Sequence, residues 1–189
     1  MKKHLLSLAA IIGLSLSSFA QMGPVSLGLE VALPMGDFAD VYSLGFGASA
    51  GYEHPVGDNI GITAQIGYII LSPADGFKDI VDKASMMPIQ AGLKYYFMEQ
   101  NNGFYGHAQI GIHNVSITTK EYEIAGITIP SASDSDSQLS FAIGAGYVVN
   151  SKIDVGVRLN VITADSEIEG AESSNYLGFR IAYNLFGGE

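Results

Sequence analysis

The sequence has no cysteine among its 189 residues. This excludes disulfide bonds, thiolate catalysis and cysteine-based metal sites, and it excludes the lipid anchor of bacterial lipoproteins, which is attached to a cysteine. Basic residues are also few, since nine Lys and Arg stand against nineteen Asp and Glu, and the formal net charge is -10. A chain of this charge repels nucleic acid, so we expect no nucleic-acid partner.

Long hydrophobic runs are missing after the first 20 residues, so we expect no transmembrane helix in the rest of the chain. The first residues follow the order of a secretory leader, with a basic start, an apolar stretch and small residues before the cleavage point: Lys2, Lys3, Leu5–Leu16, Ser18 and Ala20. This order predicts a signal peptide over residues 1–20, cleaved between Ala20 and Gln21. A membrane-anchoring helix needs about 20 apolar residues, more than this run has.

The remaining chain, residues 21–189, alternates between apolar and polar residues with period two, which is typical of β-strands. Eight runs show this alternation: Val25–Leu33, Leu44–Glu53, Ile60–Leu71, Pro88–Phe97, Phe104–Val115, Leu139–Val148, Ile153–Ile162 and Tyr176–Phe186. They reach the length of about 9 to 11 residues that a tilted transmembrane strand needs. Strands of soluble proteins are shorter, with a mode of about 5 to 6 residues.

The connections between these runs alternate in length. The short ones are His54–Asn59, Met98–Gly103 and Val149–Lys152, and the long ones are Pro34–Ser43, Ser72–Met87, Ser116–Gln138 and Thr163–Asn175. Short periplasmic turns and long extracellular loops alternate in this way in bacterial outer-membrane barrels. The sequence therefore predicts one domain over residues 21–189, an all-β, eight-stranded antiparallel up-and-down transmembrane barrel.

The two faces of the predicted strands differ in polarity. Every second residue is apolar and uncharged, whereas the alternate positions carry the charges and most of the glycines. An eight-stranded barrel has an interior just wide enough for side chains or one small ligand, which suits glycine and compact polar groups. We therefore expect the apolar face to meet lipid. The alternative is a soluble periplasmic lipocalin-like binder, whose apolar face would point inward.

Aromatic residues of the apolar face sort to the strand ends once the first strand is taken to run outward from the periplasm. The periplasmic group is Tyr52, Tyr95, Phe97, Phe104, Tyr147 and Tyr183, and the extracellular group is Phe46, Tyr68, Phe141 and Phe179. Two aromatic girdles around an aliphatic band are typical of a transmembrane barrel.

The polar face carries three charges of each sign: Glu30, Glu53, Lys94, Asp154, Arg158 and Arg180. Because the lumen of a small barrel is narrow, we expect these side chains to form a salt-bridge network that neutralises and fills it. The alternative is a narrow pore with a gated ion path.

His107, His113 and Ser140 also fall on the polar face, and a Ser–His pair near the rim suits a lipid-modifying barrel enzyme. Nucleophilic catalysis needs Ser, His and an orienting carboxylate within hydrogen-bond reach, a pattern that these strands do not offer. Ser116 falls on the opposite face from His113. We therefore expect hydrogen-bonded lumen side chains and no enzymatic activity.

The last two long connections are rich in acidic residues: Glu121, Glu123, Asp134, Asp136, Asp165, Glu167, Glu169 and Glu172. Oxygen-rich loops suit Ca²⁺, but EF-hand spacing is missing. We predict a solvated acidic surface, with no metal site and no cofactor. Ile124, Ile127 and Ile129 predict a protruding β-ribbon, whose exposed edges suit a protein partner that adds a strand.

The phrase Leu33-Pro34-Met35-Gly36-Asp37-Phe38 after the first strand, together with the eight linked strands, resembles the small outer-membrane β-barrel family that includes OmpA-like transmembrane domains and OmpX. The stretch Gly178–Phe186 resembles the signal that the barrel-assembly machinery reads during insertion. The resemblance implies a monomer in the bacterial outer membrane, surrounded by lipid and lipopolysaccharide, with a structural or surface-interaction role.

Overall fold

The computed structural model describes residues 23–98, 102–124, 127–164 and 173–186. In chain order its strands are β1 (Val25–Met35), β2 (Tyr42–Pro55), β3 (Ile60–Pro73), β4 (Val81–Tyr96), β5 (Gly103–Thr119), β6 (Tyr122–Ile124), β7 (Ile127–Ile129), β8 (Ser133–Val149), β9 (Ile153–Ile162) and β10 (Ser174–Phe186). A short helix, α1 (Asp37–Val41), follows β1. None of the described helices is long and apolar enough to cross a membrane. The signal peptide predicted for residues 1–20 lies outside the described part.

Eight of these strands form a closed antiparallel barrel, in which β1 pairs with β10. β6 and β7 form a separate hairpin between β5 and β8. The closing seam pairs Leu29 with Ile181 and Glu30 with Arg180. Closure satisfies the backbone groups that would otherwise face hydrocarbon at a cost of several kcal/mol each. The predicted eight-stranded all-β barrel is confirmed.

Three strands extend by four residues or more beyond the ends that the alternation predicts on the side of the long connections. β4 begins at Val81 rather than Pro88, β5 ends at Thr119 rather than Val115, and β8 begins at Ser133 rather than Leu139. β5 and β8 stay paired through these extensions, as far as Thr118 opposite Ser133. Because the extensions are rich in Ser, Thr and Asp, the sequence there has the composition of a loop.

Pro88 lies inside β4 rather than at its start. The pairing of β4 with β3 lapses at this point, between Ile66 opposite Ile89 and Ile69 opposite Met86, while the pairing with β5 continues. Proline has no backbone N–H to donate to a ladder, so it is tolerated where one ladder is interrupted.

The outer wall of the barrel is apolar. Leu29 is 66% exposed, Ile143 67% and Ile66 48%, and the other outward-facing Leu, Ile and Val residues are similar. An apolar band of this extent is unusual on a soluble protein but is what a barrel presents to hydrocarbon. The arrangement excludes the lipocalin-like alternative, in which this face would line the interior.

The interior is filled in three layers along the barrel axis. Near the short connections, taken as the periplasmic end, lies a buried cluster of Tyr96, Tyr105 and Val148, here the periplasmic cluster. The middle layer is polar. Near the long connections lies a buried apolar group, here the extracellular cluster: Ala32, Phe38, Tyr42, Ile69, Leu71, Val81, Ala84, Met86, Ile162 and Tyr176.

Candidate functional site

The six charged residues of the polar face lie in the barrel interior, and their ion pairs connect all six. Lys94 Nζ is 2.9 Å from Asp154 Oδ2 and 3.4 Å from Glu53 Oε2. Glu30 is 3.2 Å from Arg158 Nη2 and 3.4 Å from Arg180 Nε. Arg180 Nη1 is 3.8 Å from Asp154 Oδ2 and joins the two groups. In order, the charge chain is Glu53, Lys94, Asp154, Arg180, Glu30 and Arg158, which alternates in sign and sums to zero.

Neutral side chains complete the contacts of this charge chain. The Tyr96 hydroxyl donates to Glu53 Oε2 at 2.9 Å, and the Tyr105 hydroxyl donates to Asp154 Oδ1 at 2.5 Å. Gln65 Nε2 donates to Glu30 Oε1 at 2.8 Å. Buried charges are tolerated only when they are paired and hydrogen-bonded. The arrangement therefore keeps the interior neutral and fixes each carboxylate in place.

The Lys94 and Arg180 cations have further partners. Lys94 Nζ lies 3.8 Å from the centre of the Tyr105 ring, within the range of a cation–π interaction. Arg180 donates from Nε to Ser49 Oγ at 2.9 Å and from Nη2 to Ser26 Oγ at 2.8 Å. These contacts hold both cations on the inner wall.

Two glycines make room for this layer. A Cβ atom at Gly61 would meet the carboxyl carbon of Glu53 at 2.8 Å, and a Cβ atom at Gly146 would meet the ring and hydroxyl of Tyr105. Real Cβ atoms do not approach so closely, so any larger residue would displace the network. The glycines of the polar face thus supply the width that the charged and aromatic side chains need.

The interior differs from the sequence prediction at its extracellular end. The strand alternation predicts a lumen of polar groups and glycine, but the extracellular third is apolar. Two features bring this about: α1 turns back and buries Phe38 in the mouth, and a register shift between Tyr42 and Leu44 turns Tyr42 inward. The extensions of β4 and β5 add further inward-facing apolar residues.

The sequence prediction also missed four inward-facing tyrosines: Tyr42, Tyr96, Tyr105 and Tyr176. Strand alternation places Tyr96 and Tyr105 on the polar face, beside the predicted charges, and this was the available signal.

A cavity of about 60 Å³ lies beside the charge chain and is lined by residues that include Lys94, His107, Gln109 and Arg158. This volume is large enough for a few water molecules, which need polar partners of this kind. The cavity is far smaller than the roughly 300–1,000 Å³ of small-molecule sites.

His113 and Ser140 have other partners than a catalytic nucleophile would need, whereas His107 departs from the expectation of hydrogen-bonded lumen side chains, because its buried Nε2 has no hydrogen-bond partner among the described residues. His113 Nε2 shares a hydrogen bond of 2.9 Å with the Tyr176 hydroxyl. Ser140 Oγ lies 3.5 Å from Gln90 Nε2, which also approaches Asn160 Oδ1 at 3.4 Å. Within the described ranges, no three His, Asp or Glu side chains group as metal ligands.

Nine of the ten aromatic residues predicted for the girdles are exposed on the outer wall, and Tyr52 is half-buried. Tyr95 and Phe97 pack edge to face at 5.4 Å between ring centres, and Phe104 and Tyr147 at 4.7 Å. Their function as interfacial girdles stays a prediction. Of the acidic loop residues, Asp165, Glu167, Glu169 and Glu172 lie outside the described residues, as does the side chain of Glu123.

Comparison with solved structures gives barrels of the same architecture. The N-terminal β-barrel domain of Pseudomonas aeruginosa OprF matches with a TM-score of 0.60 and 13% identity over 87% of this chain and 98% of that domain. Ail, the attachment invasion locus protein of Yersinia pestis, matches at 0.58 with 12% identity over 85% and 95%. Neisserial surface protein A matches at 0.51 with 14% identity over 86% and 96%. These similarities concern the fold alone.

Comparison with curated protein sequences gives no match. The family model described as "Outer membrane protein beta-barrel domain" matches residues 6–184, which is nearly the whole chain. The chain therefore belongs to the outer membrane protein β-barrel domain family, and this membership places it in the bacterial outer membrane.

Proposed function

We propose that the protein is a closed, non-enzymatic barrel that acts through its extracellular surface, and that its lumen conducts no solute. The observation that carries this proposal is the layered interior. Among the described residues, a neutral charge chain lies between two buried clusters, one at each end of the barrel interior.

The extracellular cluster is the main barrier to passage. Ile69, Met86, Ile162 and Tyr176 have no exposed surface, and Phe38 packs over them from α1. An ion that crossed this layer would lose its hydration without gaining polar partners, which is costly. The barrier is built from well-packed side chains of several strands and does not depend on one movable group.

The charge chain adds a second barrier. Glu30 and Arg158 are almost fully buried, and each carboxylate of the chain meets at least one cation. Separating a buried pair so that one charge stays uncompensated costs about 3–5 kcal/mol. This cost supports a structural function for the network over the narrow-pore alternative.

The absence of enzymatic activity is part of the proposal. It is supported by the contacts of His113 and Ser140, which are made to Tyr176 and Gln90 rather than to each other. The three lumen carboxylates are held by cations and by Tyr or Gln side chains, while some other buried polar atoms, such as His107 Nε2 and Gln109 Oε1, have no hydrogen-bond partner among the described residues.

The extracellular side carries most of the charge of the protein. By sequence, the four long connections contain thirteen acidic residues and three basic ones, whereas the lumen charges cancel. A surface with this excess of one sign attracts partners of the opposite sign. The similarity to Ail, an attachment invasion locus protein, and to a Neisserial surface protein supports a function in surface interaction.

We also expect particular surroundings for the barrel. The apolar wall meets lipid and lipopolysaccharide, the barrel-assembly machinery acts on the chain during insertion, and the barrel is a monomer without a nucleic-acid partner. The acidic extracellular side is the region where we expect a protein partner.

Electrical recording from planar bilayers tests the closed lumen. Purified wild-type protein is expected to give no steady current after insertion, while a general porin reconstituted in parallel shows that insertion is detected. A steady single-channel current from the wild-type protein would contradict the proposal and favour the narrow pore.

A further inference from the structure

A second hollow lies in the extracellular mouth, between α1 and the inner faces of the extended β5 and β8. Its volume is about 330 Å³, which is in the range of ligand-binding pockets. The floor is apolar and consists of Phe38, Val41, Tyr42, Val115, Ile117 and Ile162. We refer to it below as the mouth pocket.

One wall of the mouth pocket is acidic. On β8, Asp134 lies opposite Ile117 of β5, and Asp136 lies opposite Val115. Directly opposed residues of paired strands project from the same face of the sheet, so each carboxylate stands beside an aliphatic side chain of the floor. None of the residues that line the pocket is basic.

The two carboxylates are oriented by the backbone that follows them. Asp134 Oδ1 accepts a hydrogen bond from the Ser135 N–H at 2.9 Å, and Asp136 Oδ1 accepts one from the Ser137 N–H at 2.7 Å. Asp136 Oδ2 accepts a third from Gln138 Nε2 at 2.9 Å. In the part of the chain that the structure describes, neither carboxylate forms an ion pair. Two negative charges are thus fixed at the rim without a cation.

The floor holds a second sign of a ligand. Tyr42 is only 3% exposed and lines the mouth pocket, yet its hydroxyl has no hydrogen-bond partner among the described residues. A buried hydroxyl without a partner costs free energy, which a small movement of the Tyr42 side chain towards a donor or acceptor of a ligand would recover. This side chain is independent of the acidic wall and belongs to the same pocket.

We propose that the mouth pocket receives a lysine or arginine side chain of a basic extracellular polypeptide. The aliphatic stem packs on Val41, Val115 and Ile117, and the cationic head pairs with Asp134 and Asp136. Such side chains combine an apolar stem with a charged head, as the pocket combines an apolar floor with a charged rim. The inference rests on the proposed surface function and names the chemistry of the partner.

The surroundings of the pocket favour a polypeptide over a free amine or a metal ion. The thirteen acidic residues of the long connections attract a partner with several positive charges more strongly than one with a single charge. A divalent cation prefers a shell of oxygen ligands, whereas this pocket is largely apolar.

Binding of a short fluorescent peptide of alternating Lys and Gly to the full chain in lipid nanodiscs tests the proposal. The matched peptide carries norleucine in place of Lys, which keeps the stem and removes the charge. We expect the Lys peptide to bind at least about tenfold more tightly, because the norleucine peptide cannot form ion pairs with Asp134 and Asp136. Equal affinities, or no binding of the Lys peptide, would overturn the inference.

Two double variants separate the pocket from the general field of the acidic surface. Asp134→Asn with Asp136→Asn removes both rim charges, and Asp79→Asn with Asp82→Asn removes two exposed charges of the same side that do not line the pocket. We expect a loss of about tenfold in the first and less than about threefold in the second, since only Asp134 and Asp136 line the pocket that would hold the cationic head, whereas Asp79 and Asp82 act through the general field. Heat-modifiable gel migration verifies that each variant is folded.

A third variant, Val41→Trp, fills the pocket without changing any charge, and we expect it to weaken Lys-peptide binding as the rim variant does. Equal losses in the two double variants, with Val41→Trp unaffected, would overturn the pocket while the proposed surface function stands. The proposed polypeptide ligand would also be overturned if n-butylamine or Ca²⁺ displaced the Lys peptide at a concentration equal to the Kd of that peptide. A channel current in bilayers would contradict the closed lumen, but it would leave the peptide-binding result for the mouth pocket unchanged.

Discussion

At the scale of single residues, Lys94 shows how the interior depends on one group. Its ammonium lies between the carboxylates of Glu53 and Asp154 and over the ring of Tyr105. The two carboxylates are themselves buried and hydrogen-bonded to tyrosines. Removing the cation would therefore leave two negative charges close together in a region that water reaches poorly.

This contact predicts a large effect for Lys94→Met, which keeps the length of the side chain and removes its charge. We expect the free energy of unfolding to fall by about 3–5 kcal/mol, because a buried carboxylate is left uncompensated. Urea-induced unfolding in lipid vesicles measures the change. Lys152→Met, at an exposed position of the turn between β8 and β9, is the matched control and should change stability by less than about 0.5 kcal/mol. Similar effects for both variants would contradict a structural function of the charge chain.

The sequence predicts which residues line this interior but not which of them contact one another. Period-two alternation is enough to group Glu30, Glu53, Lys94 and the other charges on one face. It does not indicate that Lys94 meets Asp154, since these residues lie on β4 and β9, which are not adjacent in the barrel. Contacts across the lumen depend on the stagger of all eight strands, and no local pattern encodes that stagger.

At the scale of elements, α1 is the feature that alternation could not predict. It is five residues long, and its Phe38 is buried in the barrel mouth while Asp37 and Asp40 face solvent. One aromatic residue in a short polar stretch shows no periodicity. The sequence pattern does not predict the extensions of β4, β5 and β8 for a related reason, because their polar outer residues have the composition of a loop.

The position of α1 predicts the effect of Phe38→Ala. We expect a loss of about 3–5 kcal/mol in the free energy of unfolding, since a buried aromatic side chain is removed from a packed cluster. Asp40→Ala, on the exposed side of the same helix, should cost less than about 0.5 kcal/mol. Urea unfolding followed by tyrosine fluorescence compares the two. A loss below about 1 kcal/mol for Phe38→Ala would mean that the helix is not part of the closure.

At the scale of the whole molecule, apolarity and charge are separated by region. The wall towards lipid is apolar, the lumen is neutral, and the negative charge is concentrated in the extracellular connections. With the proposed function, a barrel of this charge distribution would meet its partners at its outer end rather than in its interior. Strand length and alternating connection length were sufficient to predict the barrel, because both follow from the dimensions of the membrane.

The most direct test of the closed interior is the reactivity of a single thiol in the lumen. The chain has no cysteine of its own, so Gln90→Cys introduces one thiol just below the extracellular cluster, at a position that is 3% exposed. Ser137→Cys, on the exposed part of β8, is the control.

In detergent micelles, where both ends of the barrel are open to solvent, a small charged methanethiosulfonate reagent is applied to each folded variant. We predict that Gln90→Cys reacts at least about a hundredfold more slowly than Ser137→Cys, because labelling requires transient opening of a packed interior. Reaction of the two thiols at similar rates would contradict the closed barrel.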